Sequence, residues 1–182
     1  MSWSETDAPL VFDCQRLSQF ELAPEQASTL LRSFIGSLAP DGERMVLSWQ
    51  RWLEVCAQVN EIQVFKALED SFGLNRTWAL SDDWGTPLLI DAPFTQAAMK
   101  EVLEAVHHFK GLVGLFASSA LLEEVRKWEA SLLGLKESKA VFVKEIKDLS
   151  LQLWELERLT HHLSCQALAH LEHHYAEFKG NL

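Results

Sequence analysis

The sequence predicts an all-α fold. Apolar residues recur at intervals of three and four along several long segments, which is the spacing of one buried helix face. We find no segment with the clear apolar–polar alternation of a half-buried strand. Apolar residue types make up 48% of the 182 residues, which is enough for a single domain with a substantial core.

The first forty residues are predicted to form an arm and one helix. The arm covers about a dozen residues, and the helix runs from Leu22 to Leu38 with Pro24 in its first turn. Segment 39–42, which reads Ala-Pro-Asp-Gly, is predicted to be a turn. A long helix should follow from about Glu43 to Phe72.

Residues 73–94 interrupt the helical pattern with several glycines and prolines. A loop of this length is uncommon inside a compact domain and is often functional. The next two helices are predicted over about Phe94–Phe116 and from Ser118 or Ser119 to Gly134, with the serine as N-cap and the glycine at the end.

The last predicted helix runs from about Ser138 to Phe178. At 1.5 Å per residue it would span roughly 60 Å. Such a helix should either break near Ser164–Cys165 or pack against another chain, so a homodimer through this helix is one expectation.

The run VHHFKGLVGLFA at 106–117 bears most directly on function. Helical spacing puts His107, Lys110, Gly111 and Gly114 on one face. The opposite, core-facing side carries Val102, Val106, Phe109, Val113 and Phe116. Glycine inside a helix costs roughly 1 kcal/mol relative to alanine. Two glycines on the histidine's own face therefore indicate close approach of another molecule.

This run resembles the histidine-containing phosphotransfer (HPt) domain of phosphorelays. The family's signature is histidine, any residue, an aliphatic or aromatic residue, lysine, then glycine, and it is filled here by His107, Phe109, Lys110 and Gly111. The resemblance covers about residues 97–133. Leu112 and Val113 are bulkier than the family's usual small residues. This difference affects the choice of partner more than the chemistry, because the reactive residues match the signature.

The resemblance implies an up-down four-helix bundle with an N-terminal helical extension, with residues 1–40 as the extension and 41–182 as the bundle. It implies that His107 takes a phosphoryl group from an aspartyl phosphate of one receiver domain and passes it to an aspartate of another. The implied partners are a response-regulator receiver domain and a hybrid histidine kinase. The receiver would supply Mg²⁺, so no cofactor is expected on this chain.

Within this scheme Lys110 would offset the charge of the phosphoryl group. The surrounding surface would bind the partner through Leu103, Glu104, Gly111, Leu112, Gly114 and Leu115. Glu104 could also hold the imidazole of His107, although a solvated glutamate fits its position equally well. His108 lies off the stripe and is expected to be structural.

The residues themselves allow this chemistry. An imidazole with an ordinary pKa near 6.5 is mostly neutral and nucleophilic at pH 7. No glycine-rich phosphate loop followed by lysine and Ser/Thr is present, so ATP binding is not indicated. The expected activity is that of a phosphocarrier without ATP-dependent kinase activity.

Composition argues against other functions. The net charge is −10, and the sequence has no basic stretch that could lie along a phosphate backbone. Nucleic-acid binding is therefore not expected. No signal peptide and no apolar segment of roughly 20 residues is evident, so no membrane contact is expected. Three widely spaced cysteines fit a reducing cytoplasm.

Five histidines lie near the C-terminus at 161, 162, 170, 173 and 174. His170 and His174 are four residues apart and could share a metal ion, with Glu177 as a further ligand. Histidines are also favoured at a helix C-terminus by its dipole. We therefore expect a solvated helix end and no metal site.

Two other functions are compatible with the same sequence. The chain could be a non-catalytic helical adaptor or inhibitor, a pseudo-HPt that binds a signalling protein without carrying phosphate. It could also be an acidic interaction protein of the immunity or anti-sigma type, in which His107 would have no role.

Overall fold

The computed structural model describes residues 9–60, 64–65, 79–80 and 87–178, and only the backbone at 64–65, 79–80 and 178. It is mostly helical, which confirms the all-α class. The described residues form five α-helices: α1 Cys14–Ser18, α2 Pro24–Val59, α3 Pro93–Val113, α4 Ser119–Glu137 and α5 Val143–His174. A 3₁₀ helix, Ala176–Phe178, follows α5. None of the helices in these ranges is long and apolar enough to cross a bilayer.

The four long helices share one core. α2 packs against α3 and α5, and α4 also packs against α3 and α5. α2 and α3 run antiparallel, because Asp41 pairs with His108 while Arg51 pairs with Glu101. The predicted apolar face is confirmed, since its five residues, Val102, Val106, Phe109, Val113 and Phe116, are fully buried. α3 itself ends at Val113 and not at Phe116 as predicted, because Gly114 is its C-cap.

The turn predicted at 39–42 is wrong, because α2 continues through Pro40. The boundary drawn between residues 40 and 41 thus falls inside one helix. Proline removes one backbone hydrogen bond and costs about 3 kcal/mol in a helix interior. Leu38 and Met45, on either side, are almost completely buried in the same core. Burying two such side chains contributes about 3–6 kcal/mol, which is enough to offset that cost.

α2 ends at Val59 and does not reach Phe72 as predicted. The next residue, Asn60, donates through Nδ2 to the carbonyls of Cys56 and Leu89, at 2.8 and 2.9 Å. Its Oδ1 accepts from the backbone N–H of Leu89 at 2.7 Å. These tertiary hydrogen bonds fix the chain direction at the helix end, and nothing in the local sequence could reveal them.

In the described ranges, four short strands replace part of what was predicted as loop and helix. β1 Val64–Phe65 pairs antiparallel with β2 Ala79–Leu80, and β3 Leu88–Leu89 pairs antiparallel with β4 Ala140–Val141. Two-residue strands are too short to show alternation. Of the predicted loop at 73–94, all but 79–80 and 87–94 lies outside the described residues.

The bounds of the last two helices also differ from prediction. α4 runs past Gly134 to Glu137, and α5 begins only at Val143 because β4 precedes it. Of the two serines predicted as possible N-caps of α4, Ser118 is the N-cap. α5 is continuous through Ser164–Cys165, so no break occurs there. Its 32 residues span about 48 Å and pack on α2 and α4, while a homodimer through α5 stays a prediction.

Part of the N-terminal arm lies across the turn between α3 and α4. Phe12 bridges Ala117, the N–H of Asp13 donates to the Phe116 carbonyl at 2.8 Å, and the N–H of Ser118 donates to the Val11 carbonyl at 2.7 Å. Oε1 of Gln166 in α5 accepts hydrogen bonds from the backbone N–H groups of Val11 and Phe12, at 2.9 and 3.0 Å. The arm thereby joins α5 to the end of α3.

Candidate functional site

His107 lies on the exposed face of α3. Its side chain is 79% exposed, while its neighbours Val106 and Phe109 are fully buried. The buried residues fix the rotation of α3 about its axis, and that rotation directs His107 to solvent. A partner can therefore reach the imidazole without any rearrangement of the core.

A carboxylate from α4 joins the histidine and the lysine. Oε2 of Glu129 accepts a hydrogen bond from the ammonium of Lys110, and its Oε1 lies 3.8 Å from Nδ1 of His107. The second distance is too long for a hydrogen bond, but it puts negative charge beside Nδ1. Nε2 lies on the other side of the ring, away from this carboxylate.

Glu104 does not contact the imidazole. Its carboxylate lies 3.7 Å from Nζ of Lys100, an exposed pair one helical turn apart. Glu129, which sequence analysis missed, is the acid beside His107. The two residues are 22 positions apart, and only the antiparallel pairing of α3 with α4 brings them together. Only a prediction of how the residues of α3 and α4 align could have identified Glu129.

The two glycines of the stripe differ. Gly111 is exposed, and a Cβ built on it meets no atom within 4 Å. Gly114 is the C-cap of α3, and its carbonyl accepts a hydrogen bond from Nη1 of Arg16 at 2.7 Å. Gly111 therefore leaves open space beside Lys110, whereas Gly114 lies where the N-terminal arm meets α3.

Arg16 is a second residue that sequence analysis missed. Its Nε lies 3.3 Å from Oδ2 of Asp13, so its guanidinium joins an acidic side chain to the end of α3. A cation at a helix C-terminus is favoured by the helix dipole. α1, and not α3, therefore supplies a guanidinium group at the end of the stripe, where it is paired with the carboxylate of Asp13.

The remaining predicted residues lie on or near α3 with partial exposure. Leu103, Leu112 and Leu115 are partly buried and pack against the core, so each offers only part of its side chain to a partner. His108 has a structural contact, since its Nδ1 lies 3.1 Å from Oδ2 of Asp41 on α2.

The C-terminal histidines lie close together on α5. The ring centres of His170 and His174 are 4.4 Å apart, and those of His173 and His174 are 4.6 Å apart. Within the described ranges, no group of three or more His, Cys, Asp and Glu side chains is arranged to hold a metal ion.

Comparison with known proteins found no matching family model, no similar curated protein and no similar solved structure.

Proposed function

We propose that this chain is a histidine phosphotransfer protein, a cytoplasmic phosphocarrier that moves a phosphoryl group between receiver-domain aspartates. The observation that carries the proposal is the exposed imidazole of His107 with Lys110 and Glu129 beside it. Phosphoryl transfer depends mainly on positioning and on charge stabilisation, and it requires little other chemistry from the protein.

The transfer step can be written with these residues. Nε2 of His107 attacks the phosphorus of an aspartyl phosphate; the new N–P bond forms as the acyl P–O bond breaks, and the carboxylate leaves. The imidazole becomes cationic while Nδ1 keeps its proton, and the Glu129 carboxylate 3.8 Å from Nδ1 offsets that charge. Lys110 offsets the negative charge of the phosphoryl oxygens. The reverse step delivers the group to a second aspartate.

The helix arrangement supports a bundle of the expected kind. We assign α2, α3, α4 and α5 to an up-down four-helix bundle, because each packs against two others and α2 and α3 run antiparallel. α1 and the arm would form the N-terminal extension. The open space at Gly111 and the partly exposed Leu112 and Leu115 would admit a receiver domain of a response regulator or of a hybrid histidine kinase.

The test is direct phosphorylation by phosphoramidate, followed by intact mass and ³¹P NMR. Wild type should gain one acid-labile, base-stable phosphoryl group, and His107→Gln should gain none. His108→Gln is the matched control, because this adjacent histidine is on the same helix but pairs with Asp41. Equal labelling of wild type and His107→Gln would exclude His107 as the acceptor.

One observation favours a second candidate, the non-catalytic adaptor. The ammonium of Lys110 is already bound to Glu129 and must leave or share that carboxylate to contact a phosphoryl group. An adaptor would bind a receiver through the same face and carry no phosphate. It predicts that wild type stays unlabelled by phosphoramidate while His107→Gln still binds a receiver domain.

A further inference from the structure

The end of α5 carries three histidines that the proposed phosphotransfer does not use. His170, His173 and His174 occupy positions i, i+3 and i+4 and so share one side of the helix. His174 is central, with its ring centre 4.4 Å from that of His170 and 4.6 Å from that of His173. By contrast, the rings of the neighbouring pair His161 and His162 are 6.4 Å apart.

His170 is held in place from outside the helix. Its ring centre lies 5.3 Å from that of Phe12 in the N-terminal arm and 6.0 Å from that of Tyr175. Phe12 is itself fixed by its backbone hydrogen bond to Gln166 and its bridge to Ala117. This packing limits the rotamers of His170, so one of the histidines is already ordered before any ligand arrives.

We propose that His170 and His174 chelate one divalent transition-metal ion of the Zn²⁺, Ni²⁺ or Cu²⁺ class. Imidazole nitrogen is a preferred ligand for these ions. With metal–nitrogen bonds of about 2.0–2.1 Å and ligand angles of roughly 90–110°, two chelating imidazoles have ring centres roughly 4.5–5.2 Å apart. The observed 4.4 Å is close to that range. Water molecules complete the coordination, so no third side chain is required.

A metal-binding end of α5 differs from the solvated helix end that the sequence predicts. The sequence shows the spacing of four residues, but it cannot show that Phe12, 158 positions earlier, packs on the first of the two rings. The proposal is independent of phosphotransfer, because the pair lies on α5 and the acceptor histidine on α3.

The test is isothermal titration calorimetry of the full-length chain with ZnCl₂ at pH 7.5. Wild type should bind one ion per chain. His174→Gln and His170→Gln should each lower the affinity by about tenfold or more, because the second metal bond is intramolecular and loses its effective-concentration advantage. His161→Gln is the matched control, being an exposed histidine of the same helix outside the cluster, and should bind as wild type does. Circular dichroism should verify that all variants remain folded.

Three outcomes would overturn the proposal. Wild type could fail to bind Zn²⁺ at millimolar concentration, or His174→Gln could bind as tightly as wild type. Loss of binding in His161→Gln would instead assign the ion to the His161–Cys165 pair, in which Sγ and Nε2 are 3.7 Å apart. Because His107→Gln should bind Zn²⁺ normally, a failed phosphorylation experiment leaves this result unaffected.

Discussion

Lys110 of α3 and Glu129 of α4 form an ion pair across the two helices, and the same carboxylate has its other oxygen 3.8 Å from Nδ1 of His107. Lys110 and Glu129 are both largely buried, with side chains 28% and 17% exposed. Their interaction is therefore less screened than that of a surface pair. The lysine neutralises a carboxylate that would otherwise repel an incoming phosphoryl group.

Lys110→Gln should slow phosphorylation of His107 by phosphoramidate by about tenfold. The substitution removes a cation near the transferred group and leaves Glu129 uncompensated; a charge–charge interaction at about 4 Å amounts to roughly 1 kcal/mol in water and more where solvent is excluded. Lys110→Arg keeps a cation beside Glu129 and should react at close to the wild-type rate. Initial rates by ³¹P NMR measure both variants, and equal rates for wild type and Lys110→Gln would contradict this account.

Gly111→Gln should separate phosphorylation from partner binding. A Cβ at Gly111 meets no atom within 4 Å, so the fold should tolerate the side chain. The variant should react with phosphoramidate as wild type does, yet transfer phosphate at least about tenfold more slowly to a receiver that accepts it from wild type, because the side chain fills the approach path.

Gly134→Gln is the control for that experiment. Gly134 is also an exposed helical glycine with open space at its Cβ, and it points roughly 140° around α4 from Glu129. Transfer by this variant should match wild type. Equal transfer by wild type and Gly111→Gln would show that a receiver does not approach over Gly111.

The sequence was sufficient for the helical class and for the face of α3, because the spacing of Val102, Val106 and Phe109 is a local property. The acid beside His107 could not be predicted, since Glu129 reaches it only through helix pairing. Arg16 contacts Gly114 across 98 positions for the same reason. Glu129 of α4 and Arg16 of α1 thus approach the motif of α3 from other helices.

The errors in helix bounds have the same origin. Local propensity predicts a turn at Pro40, but burial of Leu38 and Met45 keeps α2 continuous. The local pattern extends the helix beyond Val59, but hydrogen bonds in both directions between Asn60 and the backbone of Leu89 accompany its end. Tertiary contacts of this kind override propensities of about 1–3 kcal/mol, and a single sequence does not display them.

Pro40→Ala should raise the free energy of unfolding by about 1–3 kcal/mol. Alanine restores an N–H that can donate to the carbonyl of Gly36 and removes the steric clash of the proline ring with that carbonyl. Urea denaturation followed by circular dichroism measures the change. Pro24→Ala is the control, since Pro24 begins α2 where its missing N–H costs nothing, and it should not be stabilising. A less stable Pro40→Ala protein would mean that the proline shapes α2 in a way that the core requires.

The metal-free protein should lose stability as the pH falls below about 6.5. The pKa of His170 is lowered from 6.5 by partial burial and by its neighbours His174 and His173, and that of His162 is lowered by partial burial and by Arg158 and His161. Between the lowered pKa of the folded state and the ordinary pKa of the unfolded state, the unfolded chain therefore binds more protons than the folded chain. The free energy of unfolding rises with pH in that window, and the contribution of these histidines is fully present above pH 6.5. His170→Gln should flatten this dependence in urea denaturations between pH 5 and pH 7.5 with chelator present. An unchanged slope in His170→Gln would show that protonation of this residue is not coupled to folding.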